Sequence, residues 1–243
     1  MEGLMRRRTF LSLCCVSAAG LLADPAQADA PQGPRYAMVV DLRRCVGCQS
    51  CTVSCGAENA VPLGEFRTTV NEYALGGDPA AGHAPALAVL PRLCNHCENP
   101  PCVPVCPVGA TYKRKDGLVL INAATCIGCG FCVQACPYDA RFLNRETHTA
   151  DKCTFCAHRM AAGLLPACVE NCAGGARVFG DLHDPLSPVS RLLAAYTGKV
   201  AVLYPEKDTR PHVFYLGLDA RFIHANGVPE PLPVDPAGRA SHD

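Results

Sequence analysis

"CIGCGFCVQACP", residues 126–137, sets Cys126, Cys129, Cys132 and Cys136 at gaps of two, two and three residues and follows the last with Pro137. Chain segments this short cannot close ordinary disulfide loops without strain. They gather thiols into one tight turn instead. Cys45, Cys48, Cys51 and Cys55 repeat the same spacing. Cys94, Cys97, Cys102 and Cys106 widen one gap, and Cys153, Cys156, Cys168 and Cys172 widen it further. Together with Cys14 and Cys15 these four groups account for all 18 cysteines of the 243-residue chain.

An even cysteine count suggests a disulfide framework in a small secreted chain, but runs of closely spaced thiols leave no long loops for disulfides to close. Tryptophan is absent and aromatic residues make up 6% of the chain, so a large conventional core is not its obvious source of stability. Metal bound to the native state supplies folding free energy in its place. A formal net charge of +0 gives no basic footprint and argues against a nucleic-acid partner. The sequence contains no glycine-rich nucleotide loop and no nucleophile elbow. The CxxxCxxC spacing of radical enzymes that use S-adenosylmethionine is absent from the four groups.

The N-terminus reads as an address. An arginine run at Arg6, Arg7 and Arg8 precedes an apolar segment, Leu11 to Ala23, and small residues stand at Ala26 and Ala28. That segment is too short to span a bilayer, which takes roughly 20 residues. "RRTFL", Arg7 to Leu11, is similar to the twin-arginine export signal, with Arg6 where that signal usually has Ser or Thr. Residues 1–28 are therefore expected to be a cleaved leader, which exports the chain folded around its cofactors. The alternatives are an ordinary secretory signal or a basic-plus-apolar membrane anchor. Cleavage removes three arginines with Glu2 and Asp24 and leaves a net charge of −1. The mature chain is expected to be soluble and periplasmic.

"DAPQGPR" then reads as a linker, and Tyr36 to Leu42 as a short strand delivering the chain to Cys45. Leu118 to Ile121 does the same for Cys126, so strand, cysteine loop and short helix form a weak internal repeat. Residues 74–91, rich in Gly, Ala and Pro, read as an insertion loop. A helix is expected near Ser190 to Thr197, and "PHVFYLGLD" as a final strand before a disordered proline-rich end.

A four-iron, four-sulfide cubane needs four thiolates converging on one body, and a loop with two-residue gaps brings three cysteines to three corners. The fourth cysteine of such a run serves the neighbouring cluster. Gly47, Gly128 and Gly130 suit a backbone that must wrap close to inorganic sulfide. The alternative for an isolated CxxC, such as Cys153 with Cys156, is a zinc knuckle. Zinc does not account for the full set, with its three-plus-one runs and following proline. His96 and His158 lie beside the cysteines, but four sulfurs already complete each group, so both read as supporting loop residues.

These runs resemble the four-cluster iron–sulfur electron-transfer subunits of the molybdopterin oxidoreductases, the dimethyl sulfoxide reductase superfamily. "RYAMVVDLRRCVGCQSCTVSC", "LPRLCNHCENPPCVPVCPVGAT", "CVQACPYDARF", "ADKCTFCAHRMAAGLLPACVENC" and "PHVFYLGLD" carry the likeness over about residues 35–220. Within the superfamily they are most similar to tetrathionate-reducing members. Polysulfide, thiosulfate, arsenate and some nitrite-reducing systems use the same subunit.

The resemblance implies an α+β fold of two nested ferredoxin-like halves, with short strands, short helices and long cluster-binding loops. Residues 35–73 with 150–182 would form the outer half, residues 90–149 the inner half, and residues 183–243 a C-terminal extension. It further implies four ligand sets. Cys45, Cys48, Cys51 and Cys172 make the first, and Cys55, Cys153, Cys156 and Cys168 the second. Cys94, Cys97, Cys102 and Cys136 make the third, and Cys106, Cys126, Cys129 and Cys132 the fourth.

The implied role is a non-catalytic wire of four [4Fe-4S] clusters. An integral membrane quinol-oxidising subunit would feed it, and a molybdopterin catalytic subunit would draw from it to reduce tetrathionate to thiosulfate in anaerobic respiration. A free-standing polyferredoxin carrier is the alternative class. Arg43, Arg44, Lys113, Arg114, Lys115 and Lys152 are candidates to offset cluster charge or dock partners, although solvated surface is the plainer reading for any one of them.

Overall fold

In a computed structural model, described here for residues 33–77, 84–226 and 228–232, small sheets and short helices alternate along the chain. The expected leader, residues 1–28, and the end beyond residue 232 lie outside the described residues. The central sheet is built on β1, Tyr36–Asp41, whose "YAMVVD" is apolar on both faces. Such a continuous run belongs in the middle of a sheet covered on both sides. β1 lies between β8, Arg177–Asp181, which is antiparallel to it, and β10, Val213–Leu216, which is parallel. β9, Val200–Ala201, closes the order β8-β1-β10-β9.

The alternation of β1 divides the core. Ala37 and Val39 pack with Val189 and Leu216 under helix α5, Pro188–Ala195. Met38 and Val40 face the other way, into the cluster of Tyr73, Leu90, Phe155, Phe179 and Tyr215 that also holds cysteines from three of the four groups. Ser187 caps α5 by accepting the Ser190 N–H at 3.2 Å, and Pro188 follows in the first turn, where a missing N–H costs nothing.

Helix α1, Ser50–Asn59, carries Cys51 and Cys55 four residues apart and hence on one face. α2, Phe131–Gln134, α3, Ala157–Ala161, and α4, Ala167–Glu170, are single turns beside the other cysteines. Two short hairpins frame the middle of the chain. β4, Thr111–Lys113, pairs with β5, Val119–Ile121, and β6, Arg141–Leu143, pairs with β7, Ala150–Lys152.

The expectation of an insertion loop over residues 74–91 is corrected. β2, Thr68–Leu75, and β3, Ala86–Leu93, pair in register from Thr68↔Leu93 to Leu75↔Ala86. Val70, Tyr73, Leu75, Leu90 and Leu93 are buried, and this apolar packing overrides the weak strand propensity of the Ala- and Pro-containing segment. Within residues 183–226, β9 and β10 complete the central sheet. Among the described residues no helix is long and apolar enough to cross a membrane.

Candidate iron–sulfur sites

The loop before α1 turns through Gly47, and the loop before α2 turns through Gly128, both with positive φ, 69° and 67°. A Cβ on Gly128 would collide with the carbonyl oxygen of His148, so this turn requires glycine for space as well as for conformation. The loops leave Cys48 and Cys129 exposed, whereas the helical cysteines Cys51, Cys55 and Cys132 point inward and are buried.

Cys45, Cys48, Cys51 and Cys172 line one cavity together with Val40, Gln49 and Arg177. The fourth sulfur reaches the others from far along the chain, on the segment entering β8. Its loop carries Gly174, where a Cβ would strike the carbonyl oxygen of Arg44. Cys94, Cys97, Cys102 and Cys136 line a second cavity with Asn95, Pro137 and Arg141.

Cys55, Cys153, Cys156 and Cys168 are all buried, with exposures of 5–6%. The Asn59 side-chain amide lies 3.6 Å from the Cys55 sulfur and 3.8 Å from that of Cys156. The remaining four are less closely gathered. Cys132 is buried beside Val119 and Ala150, Cys126 packs at the edge of that cluster, and Cys106 is half-buried. Among the described residues no three His, Cys, Asp or Glu side chains converge tightly enough to hold a single metal ion.

Without metal, burial favours the neutral thiol at several of these cysteines. Burial pushes Cys55 and Cys97 up to about 12 and Cys102 to about 11, and it raises Cys153 well above the ordinary thiol value. Neighbouring cysteines add to the rise at Cys55, Cys97 and Cys153. Iron ligation reverses this, because the ligand is the thiolate and binding expels the proton. Backbone N–H groups are ready for sulfur: Thr111 points at Cys106 at 3.5 Å, Ala150 at Cys126 at 3.4 Å, Phe155 at Cys153 at 3.4 Å and Ala176 at Cys172 at 3.2 Å. Four soft donors round one space, with amides aimed at the sulfurs, fit an iron–sulfur cluster.

His96 is fully buried, and no described contact brings it to a sulfur. Its Nδ1 accepts the Val119 N–H at 3.0 Å and its ring stacks on Phe155, so it braces the loop between Cys94 and Cys97. Burial, with Lys152 and Arg141 nearby, holds its pKa well below the usual imidazole value. His158 is exposed and meets Glu58 at 2.7 Å.

Several of the basic residues singled out from sequence have carboxylate partners: Arg43 pairs with the buried Asp41, Lys113 with Glu98 and Arg114 with the buried Asp116. Lys152 does not belong on a solvated face, since it is 1% exposed. Sequence reasoning passed over Arg141 and Arg177, which line the two cavities. The signal was present as "CPYDAR" and "CAGGAR", which place an arginine five residues after Cys136 and again after Cys172.

The cysteine cavities and the small mixed sheets define a ferredoxin-like iron–sulfur protein. The 4Fe-4S dicluster domain family matches residues 44–110, and a second family of that description matches residues 85–182. A tetrathionate reductase subunit of Salmonella typhimurium is 56% identical over 227 residues, 89% of this chain and 90% of its own length. The corresponding tetrathionate reductase subunit of Archaeoglobus fulgidus is 49% identical over 186 residues, 76% of this chain and 84% of its own. The thiosulfate reductase electron transfer subunit of Salmonella typhi is 46% identical over 151 residues, 62% of this chain and 78% of its own. The chain belongs to the family of iron–sulfur electron-transfer subunits of multi-subunit reductases, and such membership implies a catalytic partner.

Proposed function

We propose that this chain is the electron-transfer subunit of a tetrathionate reductase, carrying electrons from a membrane quinol-oxidising subunit to a molybdopterin catalytic subunit in the periplasm. Four [4Fe-4S] clusters would be held by the four sets of cysteines implied by the family resemblance, in two nested halves. The observation that carries this reading is the pair of three-plus-one cavities. Cys172 joins Cys45, Cys48 and Cys51 round one, and Cys136 joins Cys94, Cys97 and Cys102 round the other. The burial of Cys55, Cys153, Cys156 and Cys168 around the Asn59 amide supports a third.

When bound, the clusters accept and release single electrons at potentials set by hydrogen bonds, charge and solvent exposure. The protein's part is to hold the thiolates, donate N–H groups to sulfur and exclude water from the interior sets. The tetrathionate assignment rests on the 56% identity to the Salmonella typhimurium protein, and export on the arginine pair in "RRTFL".

Anaerobically purified complex is expected to contain about sixteen iron atoms and as many acid-labile sulfides in this subunit, as four cubanes require. It should reduce tetrathionate with a reduced dye, whereas the isolated chain should not. Zinc, or half that iron, would overturn the four-cluster reading. Activity of the isolated chain would overturn the wire. For export, Arg7→Lys with Arg8→Lys should strand folded, cluster-bearing precursor in the cytoplasm, and normal processing of that variant would rule out the twin-arginine route.

A further inference from the structure

The Lys and Arg residues buried among the described residues are three in number: Arg141, Lys152 and Arg177, exposed by 4%, 1% and 4%. Among the described residues none of the three meets a carboxylate at ion-pair distance. Arg141 and Lys152 also stand directly opposite each other across the β6–β7 hairpin, where like charges are unfavourable. A buried charge requires a compensating partner. The groups within reach of these cations that become anionic on metal ligation are cysteine sulfurs.

Each cation touches a different boundary between the cysteine sets. Arg177 lines the cavity of Cys45, Cys48, Cys51 and Cys172, and lies close enough to Cys168 and Cys153 of the second set for their charges to act on it. Its Nη2 is fixed at 2.8 Å to the hydroxyl of Thr68. Lys152 feels Cys153 of the second set and Cys94 and Cys102 of the third. Its ammonium is clamped by the carbonyls of Val119 and Cys153, the latter at 2.8 Å. Arg141 donates from Nη2 to the Cys102 sulfur at 2.9 Å and reaches Cys132 of the fourth set, while its Nε has no partner among the described residues. Four sets in a row have three junctions, and each junction holds one of these cations.

We propose that Arg177, Lys152 and Arg141 are junction cations of the electron path, in that order from the first set to the fourth, and that each raises the reduction potentials of the two clusters beside it. This rests on the ligand sets proposed above. An electron arriving at a cluster adds one negative charge and makes or breaks no bond. A fixed cation shared by two neighbours stabilises that charge on either side of the step. Guanidinium groups suit the task, since they stay charged when buried and keep several donors in a rigid fork.

The test is a potentiometric titration of the intact complex followed by electron paramagnetic resonance. Arg177→Gln should lower the potentials of the first and second clusters, Lys152→Met those of the second and third, and Arg141→Gln those of the third and fourth. Each reduction equilibrium should fall about tenfold or more, which is 59 mV for one electron. The two interior clusters therefore respond to two substitutions each, and the outer ones to one. Arg177→Lys, Arg141→Lys and Lys152→Arg keep the charge and should stay near the native potentials.

Unmoved potentials, a uniform shift of all four, or charge-retaining forms that fall as far as the neutral ones would overturn the junction role. If a neutral variant loses iron, the loss must fall on the two sets that it joins, with the other two signals intact. Loss elsewhere also overturns the proposal. If a neutral variant does not fold, a charge-retaining form that folds with near-native potentials upholds the role, and one that fails too defeats it. Fewer than four clusters in the unaltered complex would instead defeat the ligand sets themselves.

Discussion

The surroundings of Cys48 and of Cys153 are built from the same kind of cysteine run, yet they differ in their access to water. Cys48 is exposed on a loop, with Cys45 and Cys172 half-buried beside it. Cys153, Cys156, Cys168 and Cys55 are all buried beneath β8, α1 and α4. A second exposed sulfur, Cys129, belongs to the set proposed for the other end of the electron path. Solvent reaches the outer sites and is kept from the interior ones. This suits a conductor whose ends must meet partners and whose middle must not leak charge, because exposure is one of the factors that set a cluster's potential.

The largest test of this contrast is removal of the metal. Anaerobic iron chelation is expected to abolish the cooperative melt of the chain, measured by circular dichroism. The buried thiols would return to their neutral form, and the unpaired interior cations would each cost about 3–5 kcal/mol. Survival of the melt would show that the polypeptide core is sufficient by itself.

Next in size are single ligands. Cys168→Ser, in the buried set, should remove about four of sixteen iron atoms. Cys172→Ser, in the half-buried set, should yield a three-iron form and leave the resonance governed by Cys153 and Cys156 intact. If Cys172→Ser and Cys156→Ser instead alter the same resonance while Cys48→Ser alters another, each run holds its own cluster.

Smaller effects should follow at two glycines, both with positive φ. Gly109→Ala has open space around the new methyl and should lose roughly 1–2 kcal/mol of stability from backbone strain alone. Gly128→Ala meets the same strain and adds the collision with His148, so its melting point should fall further. Equal losses would mean that the Gly128 loop can relax.

The smallest change belongs to Asn59→Ala, which removes one amide shared by Cys55 and Cys156. It should lower the potential of that interior cluster by less than a tenfold change in its equilibrium and leave the melt unchanged. A shift in a different cluster would separate Cys55 from Cys156.

Local features of the sequence forecast much of this arrangement. The cysteine runs, the β1 strand and the strand at Val213–Leu216 follow from spacing and apolar runs legible within a few residues. The helix expected near Ser190 to Thr197 is α5, which starts two residues earlier at Pro188 behind its Ser187 cap. The β2–β3 hairpin was not legible, because Ala86–Leu93 looks like a loop until Leu90 and Leu93 are buried against a partner strand. Arg141 and Arg177, and the burial of Lys152, were hidden for a related reason. A basic residue in a sequence of ordinary polarity implies solvent, and only the packing of the central sheet and the β6–β7 hairpin puts these three inside. The repeated interval from the last cysteine of a run to the arginine carried that information, but not its meaning.

The position of β1 governs when the molecule can be completed. Its neighbours β8 and β10 are made far later than β1 itself, and β10 comes close to the end of the described chain. A ribosome must therefore release the chain through β10 before the central sheet can close. Loop closure over such separations is slow, so the nascent cysteine loops spend synthesis open and accessible. That interval gives the cell's cluster-assembly machinery its opportunity to load iron and sulfide before the last strand shuts the interior.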